Sequence, residues 1–166
     1  MSTTTASKRH DLVVLAGLLI AAFAVAALGS LATAGNVDGW YATADKPSFN
    51  PPNWLFGPVW TVLYAAMAVA AWLVWRQGGD IRGWWVQLAL NLAWTPVFFA
   101  GQWLWPALAV IVALDVAVAV TLVSFWRTSR IAGLLFVPYL AWVLFATALN
   151  AAIASSSRRS VPPHRL

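Results

Sequence analysis

The chain has 166 residues, 61% hydrophobic and only 9% charged, with a mean hydropathy of +0.75 and a formal net charge of +5. So little polar surface cannot cover a water-soluble globule, and the positive charge sits at segment ends, which suits anionic lipid headgroups and excludes a nucleic-acid-binding patch. The absence of cysteine excludes disulfides, thiolate metal sites and cysteine nucleophiles, and the two histidines, His10 and His164, fall in the terminal tails, leaving no imidazole in the apolar body for a zinc or haem iron.

Residues 1–10 and 155–166, rich in Ser, Thr, Pro and Arg, read as disordered tails around one transmembrane domain over 11–154. Within it five apolar runs lie at about 12–34, 54–75, 83–100, 105–126 and 131–154. At about 1.5 Å per residue each can cross about 30 Å of hydrocarbon. Backbone groups in lipid must be paired within their own segment, and the short alternating repeats of a barrel are missing, so the runs are helices. The expected fold is an all-α membrane protein, a bundle of five transmembrane helices.

The first run follows Lys8 and Arg9 and ends in "LATAG", which leaves a cleaved signal peptide as the alternative. Its apolar part, about 20 residues, exceeds the usual signal core of about 7–15, and it is kept as the first helix. Next comes a connection over 35–53, far longer than a helix–helix link needs. It contains most of the stretch "KPSFNPPNWLFGPVW" (46–60), whose prolines fix φ and resist collapse into a flexible loop. Asn53 stands where a helix N-cap belongs, and Trp60 and Tyr64 follow inside the second run. The remaining links are short: Gly78 and Gly79 make a tight turn, Pro106 opens the fourth run, and "RTSR" (127–130) closes the last hairpin.

In the third run Gln87, Asn91, Trp94 and Phe98 recur at helical spacing on one face, and Pro96 frees the carbonyl of Leu92, which predicts a kink. The fifth run repeats the pattern with Tyr139, Trp142, Ala146 and Asn150 beside Pro138. Aromatic rings next to amides on facing helices suit a flat hydrophobic ligand, and they equally suit helix–helix adhesion. Asp115, midway along the fourth run, is an intramembrane acid: a ligand acceptor, a proton site, or a neutral acid hydrogen-bonded to a neighbouring helix.

"WY" at 40–41, "KPSFNPPNWLFGPVWTVLY", "QLALNLAWTPVFF" and "LLFVPYLAWVLFATALN" together resemble the translocator protein family, also known as TspO/MBR or peripheral-type benzodiazepine receptor, over roughly 36–150. The resemblance implies a five-helix protein whose pocket opens toward the first loop and binds porphyrins and synthetic aromatic ligands, with cholesterol a ligand of animal members. Carried over by motif, the pocket would hold Trp40, Tyr41, Trp60, Asn91, Trp94, Trp142 and Ala146, joined by Tyr139 from the fifth-run stripe. The loop residues Lys46, Pro47, Asn50, Pro51 and Pro52 would form a rigid lid. Animal members follow the fifth-run "LN" with Tyr and a basic residue, where this chain has Ala151 and Ala152, so a tetrapyrrole fits better than a sterol.

The leading functional reading is tetrapyrrole transport, sequestration or sensing, with no enzymatic role and no metal or bound cofactor. Porphyrin breakdown and a structural or regulatory membrane subunit are the alternatives. Lys8, Arg9, Arg76, Arg82, Arg127 and Arg130 gather on one side, which points to a cytoplasmic N-terminus, although the basic tail pulls the other way. Small-residue ridges, Ala22/Ala26/Ser30/Ala34 and Ala109/Ala113/Ala117, together with the resemblance, lead to an expected homodimer.

Overall fold

A computed structural model describes residues 2–36 and 38–159. The described elements are all helical: α1 (Ser2–Thr33), α2 (Trp40–Thr43), α3 (Asn53–Arg76), α4 (Arg82–Thr95), a π-helical turn (Pro96–Ala100), α5 (Leu104–Thr128) and α6 (Arg130–Arg159). Four of them, α1, α3, α5 and α6, are long and apolar enough to cross a membrane. Their outer faces expose Leu12, Val13, Ile20, Leu31, Val62, Val116, Val120 and Leu134, a surface that water would penalise and lipid solvates. The molecule is a multi-pass integral membrane protein.

The third apolar run departs from a single continuous helix. Pro96 has no N–H to donate, so α4 stops at Thr95 after 14 residues, about 21 Å of rise. The chain then widens into the π turn, where the N–H of Gly101 bonds Pro96 O at 2.8 Å. Pro138 has a milder effect, because α6 runs through it unbroken from Arg130 to Arg159.

The helix ends also differ from the sequence reading. α1 begins at Ser2, within the region expected as a tail, since nothing before Gly17 breaks a helix once it is nucleated. For the same reason α6 carries through 155–159, while the rest of the expected C-terminal tail, including His164, lies outside the described residues. Asn53 is the first residue of α3 and makes no capping bond; Pro52 occupies the cap position. At the other end of α3, Gly78 takes φ 72°, which lets Gly79 N–H return to Val74 O at 3.0 Å and reverses the chain.

Packing closes a ring: α1 lies on α3 and α4, α3 on α6, α6 on α5, and α5 on α4. The N-terminal part of α1 is tied to the last turn of α3 by Arg76 and Asp11 at 3.3 Å and by the Trp72 indole N–H donating to Asp11 O at 2.8 Å. These bonds place the start of α1 and the α3–α4 turn at one end of the bundle. Close approach in the α5–α6 hairpin needs Gly133, where a Cβ would stand 2.7 Å from the Trp126 ring.

Candidate functional site

Inside the ring, toward the end that carries the long first connection, is a cavity of about 270 Å³. α1 contributes Ala26, Gly29, Ser30 and Thr33; α3 contributes Phe56, Trp60 and Tyr64; α4 and the π turn contribute Asn91, Trp94, Thr95, Phe98 and Phe99; α6 contributes Trp142, Ala146, Leu149 and Asn150. Proline is what makes this convergence local. The widened turn after Thr95 brings Trp94 and Phe98 into a stack at 5.1 Å and 24°, so two rings present one broad wall. Opposite, Trp60 meets Trp142 edge-on at 6.4 Å.

The polar groups beneath these rings are engaged with one another. The Tyr64 hydroxyl donates to Asn91 Oδ1 at 2.7 Å, Asn91 Nδ2 donates to the Tyr139 hydroxyl at 3.0 Å, and that hydroxyl donates to Gln87 Oε1 at 2.7 Å. Nearer the loop, Trp94 Nε1 donates to Asn150 Oδ1 at 3.1 Å, and Asn150 Nδ2 donates to Leu104 O at 3.0 Å. Buried polar groups satisfied in this way stiffen the bundle and leave the aromatic faces as the free surface. The Trp142 indole N–H stands apart: it is buried and has no acceptor among the described residues.

Tyr41 joins the lining from the loop side. It is 1% exposed, wedged against Phe98 and Phe99, and its hydroxyl donates to Asn50 Oδ1 at 2.8 Å. Lys46 folds over the same ring, its ammonium 4.8 Å from the ring centre and donating to the carbonyls of Tyr41 and Ala42. Asn50 Nδ2 in turn donates to Pro51 O. Desolvation pushes the Tyr41 phenol up from its ordinary value of 10.0 to about 12.

Of the residues singled out from sequence, Tyr41, Trp60, Asn91, Trp94, Trp142 and Ala146 line the cavity, and so do Tyr64, Phe98 and Asn150 from the same stripes. Trp40 and Tyr139 do not; each stands one layer behind. Trp40 donates its indole N–H to Phe99 O at 2.7 Å and so braces the π turn, while Tyr139 is fully buried within the polar relay. Lys46, Pro47, Asn50, Pro51 and Pro52 are also absent from the lining, and this part of the loop reaches the cavity through Tyr41. Asp115 is elsewhere, on α5 against α6, where Thr147 Oγ1 donates to its Oδ2 at 2.7 Å. Missed altogether was the α1 wall. Its signal, Ala26, Gly29, Ser30 and Thr33 at helical spacing, overlaps the small-residue ridge read as packing. Among the described residues no group of three His, Cys, Asp or Glu side chains could hold a metal.

Comparison with known proteins adds an independent line. The pattern of the TspO/MBR family matches residues 17–155. The "Tryptophan-rich protein TspO" of Archaeoglobus fulgidus is 44% identical over 140 residues, covering 81% of this chain and 91% of that protein. The human "Translocator protein" is 42% identical over 119 residues, 67% of this chain and 70% of the relative. The "Tryptophan-rich sensory protein" of Cereibacter sphaeroides is 42% identical over 132 residues, 76% and 84%.

Proposed function

This chain belongs to the TspO/MBR family, and from that premise we propose that it binds a tetrapyrrole in the aromatic cavity as a carrier or sensor rather than an enzyme. In this reading α4 and its π turn together form a fifth span, so that five crossings enclose the site. The observation that carries the proposal is the pairing of aromatic walls with a polar layer already satisfied internally: such a cavity selects for a broad π face. The names of the human and Cereibacter sphaeroides relatives carry translocation and sensing respectively, and both require reversible binding.

Two details refine the ligand. The Tyr41 hydroxyl and an Asn91 N–H are spent on Asn50 and Tyr139, whereas the buried Trp142 N–H remains available to a propionate or carbonyl. The cavity is also just below the roughly 300–1,000 Å³ of sites for drug-sized ligands, so a macrocycle enters only if the Tyr41 lid moves. No histidine lines the site, so metal-free protoporphyrin binds about as well as haem.

The test is tryptophan fluorescence quenching by protoporphyrin in mild detergent. Trp142→Ala should weaken binding by roughly 1–3 kcal/mol, as for a lost aromatic anchor. Trp126→Ala, on the outer end of α5, should match wild type. Equal affinities for all three proteins, or binding of haem alone with the spectrum of a ligated iron, would refute the assignment. The proposal extends to a homodimer. Ala22 is buried and Ala26 faces the cavity, so the α1 ridge serves the protomer's own packing, whereas Ala109 and Ala113 remain exposed for a second copy.

A further inference from the structure

At the opposite end of the bundle from the cavity, α5 and the α3–α4 turn form an open groove of about 590 Å³. Its floor is Ala119, Val120 and Val123; its head is Ser124, Arg127 and Thr128, with Asp80 at the rim. We propose that this groove binds one anionic phospholipid, with the phosphate held by Arg127 and the hydroxyls beside it and an acyl chain lying over Val120 and Val123.

Three observations point to that occupant. First, Val120, Val123, Ser124 and Arg127 recur at helical spacing and all face outward, Val120 being 63% and Val123 49% exposed. The polarity changes along this one face from apolar to cationic over about 10 Å of helix rise, the change a lipid makes between its acyl chain and its headgroup. Second, Arg127 has no ion-pair partner among the described residues, whereas the other charge lining the groove, Asp80, is paired. Asp80, which by itself would repel a phosphate, has both carboxylate oxygens occupied by the Arg82 guanidinium at 2.9–3.1 Å and a further bond from the Arg82 backbone N–H at 2.8 Å. The uncompensated charge at the groove is therefore that of Arg127, and it is positive. Third, Arg130, which also has no ion-pair partner among the described residues, lies at the same end, so that anionic lipid is drawn there before any specific contact forms. A guanidinium beside two hydroxyls suits the oxygens of a phosphate better than a zwitterionic headgroup whose own ammonium competes.

The experiment is lipid retention. Wild type, Arg127→Gln, Arg130→Gln and Val120→Trp are reconstituted in vesicles of phosphatidylcholine with phosphatidylglycerol, extracted in mild detergent, and the co-purifying lipid is measured by mass spectrometry of the intact complex. Wild type and Arg130→Gln, which loses the same charge at the same end outside the groove, should both retain one phosphatidylglycerol. Arg127→Gln should lose it by fivefold or more. Val120→Trp, which keeps the arginine and fills the floor, should lose it as well. Equal retention by Arg127→Gln and wild type, or an equal loss in Arg130→Gln, would overturn the site. Displacement of the lipid by millimolar inorganic phosphate would show that the head alone binds a free anion, and would overturn the acyl groove. Because the chain has no cysteine, Val123→Cys supplies a single thiol; Ala109 and Ala113, offered above to a second copy, share this stripe of α5 toward its other end, and an intermolecular disulfide through Val123→Cys in membranes would extend that contact over the groove and overturn the assignment.

Discussion

Asp115 shows how one residue's meaning depends on what surrounds it. An acid in the middle of an apolar run invites a functional reading because its charge is costly in hydrocarbon. Here it is absent from the cavity lining and bonded through Oδ2 to Thr147, whose Oγ1 is also 2.9 Å from Val143 O, while its buried Oδ1 has no partner among the described residues. The pair thus joins α5 to α6, and neither residue lines the cavity. Asp115→Asn keeps a side chain that can pair with Thr147, and interhelical bonds of this kind average about 0.6 kcal/mol in membranes. It should therefore leave protoporphyrin affinity within about twofold of wild type and lower stability by less than about 1 kcal/mol, read by quenching and by denaturation in detergent. A tenfold loss of affinity would restore the functional reading.

Among the elements, the long connection and α4 matter most, and proline acts in both. After α4 it converts a helix into a π turn, whose Phe99 carbonyl accepts the Trp40 indole N–H. In the connection a turn closed by Asn50 N–H on Pro47 O at 3.0 Å returns Asn50 onto Tyr41, and Lys46 folds onto the same residue. If the loop acts as the proposed lid, the Tyr41–Asn50 bond is its latch, and that bond needs the phenol proton. Burial favours the neutral phenol in the closed form, so the latch is intact below pH about 10 and is lost as pH rises through about 12. Protoporphyrin association should accelerate over that interval in wild type. A neutral hydrogen bond contributes about 0.5–1.5 kcal/mol, so Asn50→Ala should already bind several-fold faster at neutral pH, with little further change in alkali. Stopped-flow association rates that are the same for both proteins across this range would remove the latch.

For the molecule as a whole, the ring of helices separates three surfaces with different chemistry: an aromatic interior, an apolar exterior and an arginine-rich end. The exterior includes Ala109 and Ala113, small enough for a second helix to approach closely. The expected assembly is a dimer of the 18.0 kDa chain, measured by light scattering in mild detergent and by crosslinking in native membranes. Ala113→Phe should shift it toward monomer without unfolding it. A monomer by both methods in the wild type would remove the dimer from the proposal.

The sequence by itself determined the medium, the helical class, four long spans and the facing stripes of α4 and α6, because solvation in lipid and a period of 3.6 residues act locally and leave a direct mark on residue order. Periodicity and motif together reached nine of the residues that line the cavity, among them Phe98 and Asn150. Only the tertiary structure decided that Trp40 and Tyr139 stand behind the wall, that α1 forms part of it, that Asp115 lies outside it, and that the kink expected at Pro96 takes the form of a π turn. Those outcomes depend on which side of one helix meets which side of another across 48 to 61 residues of chain, as in the Asn91–Tyr139 and Trp72–Asp11 bonds. A stripe on a helix records that a face is buried, but not which neighbour buries it, and in a closed ring each helix has two neighbours and an interior to choose among.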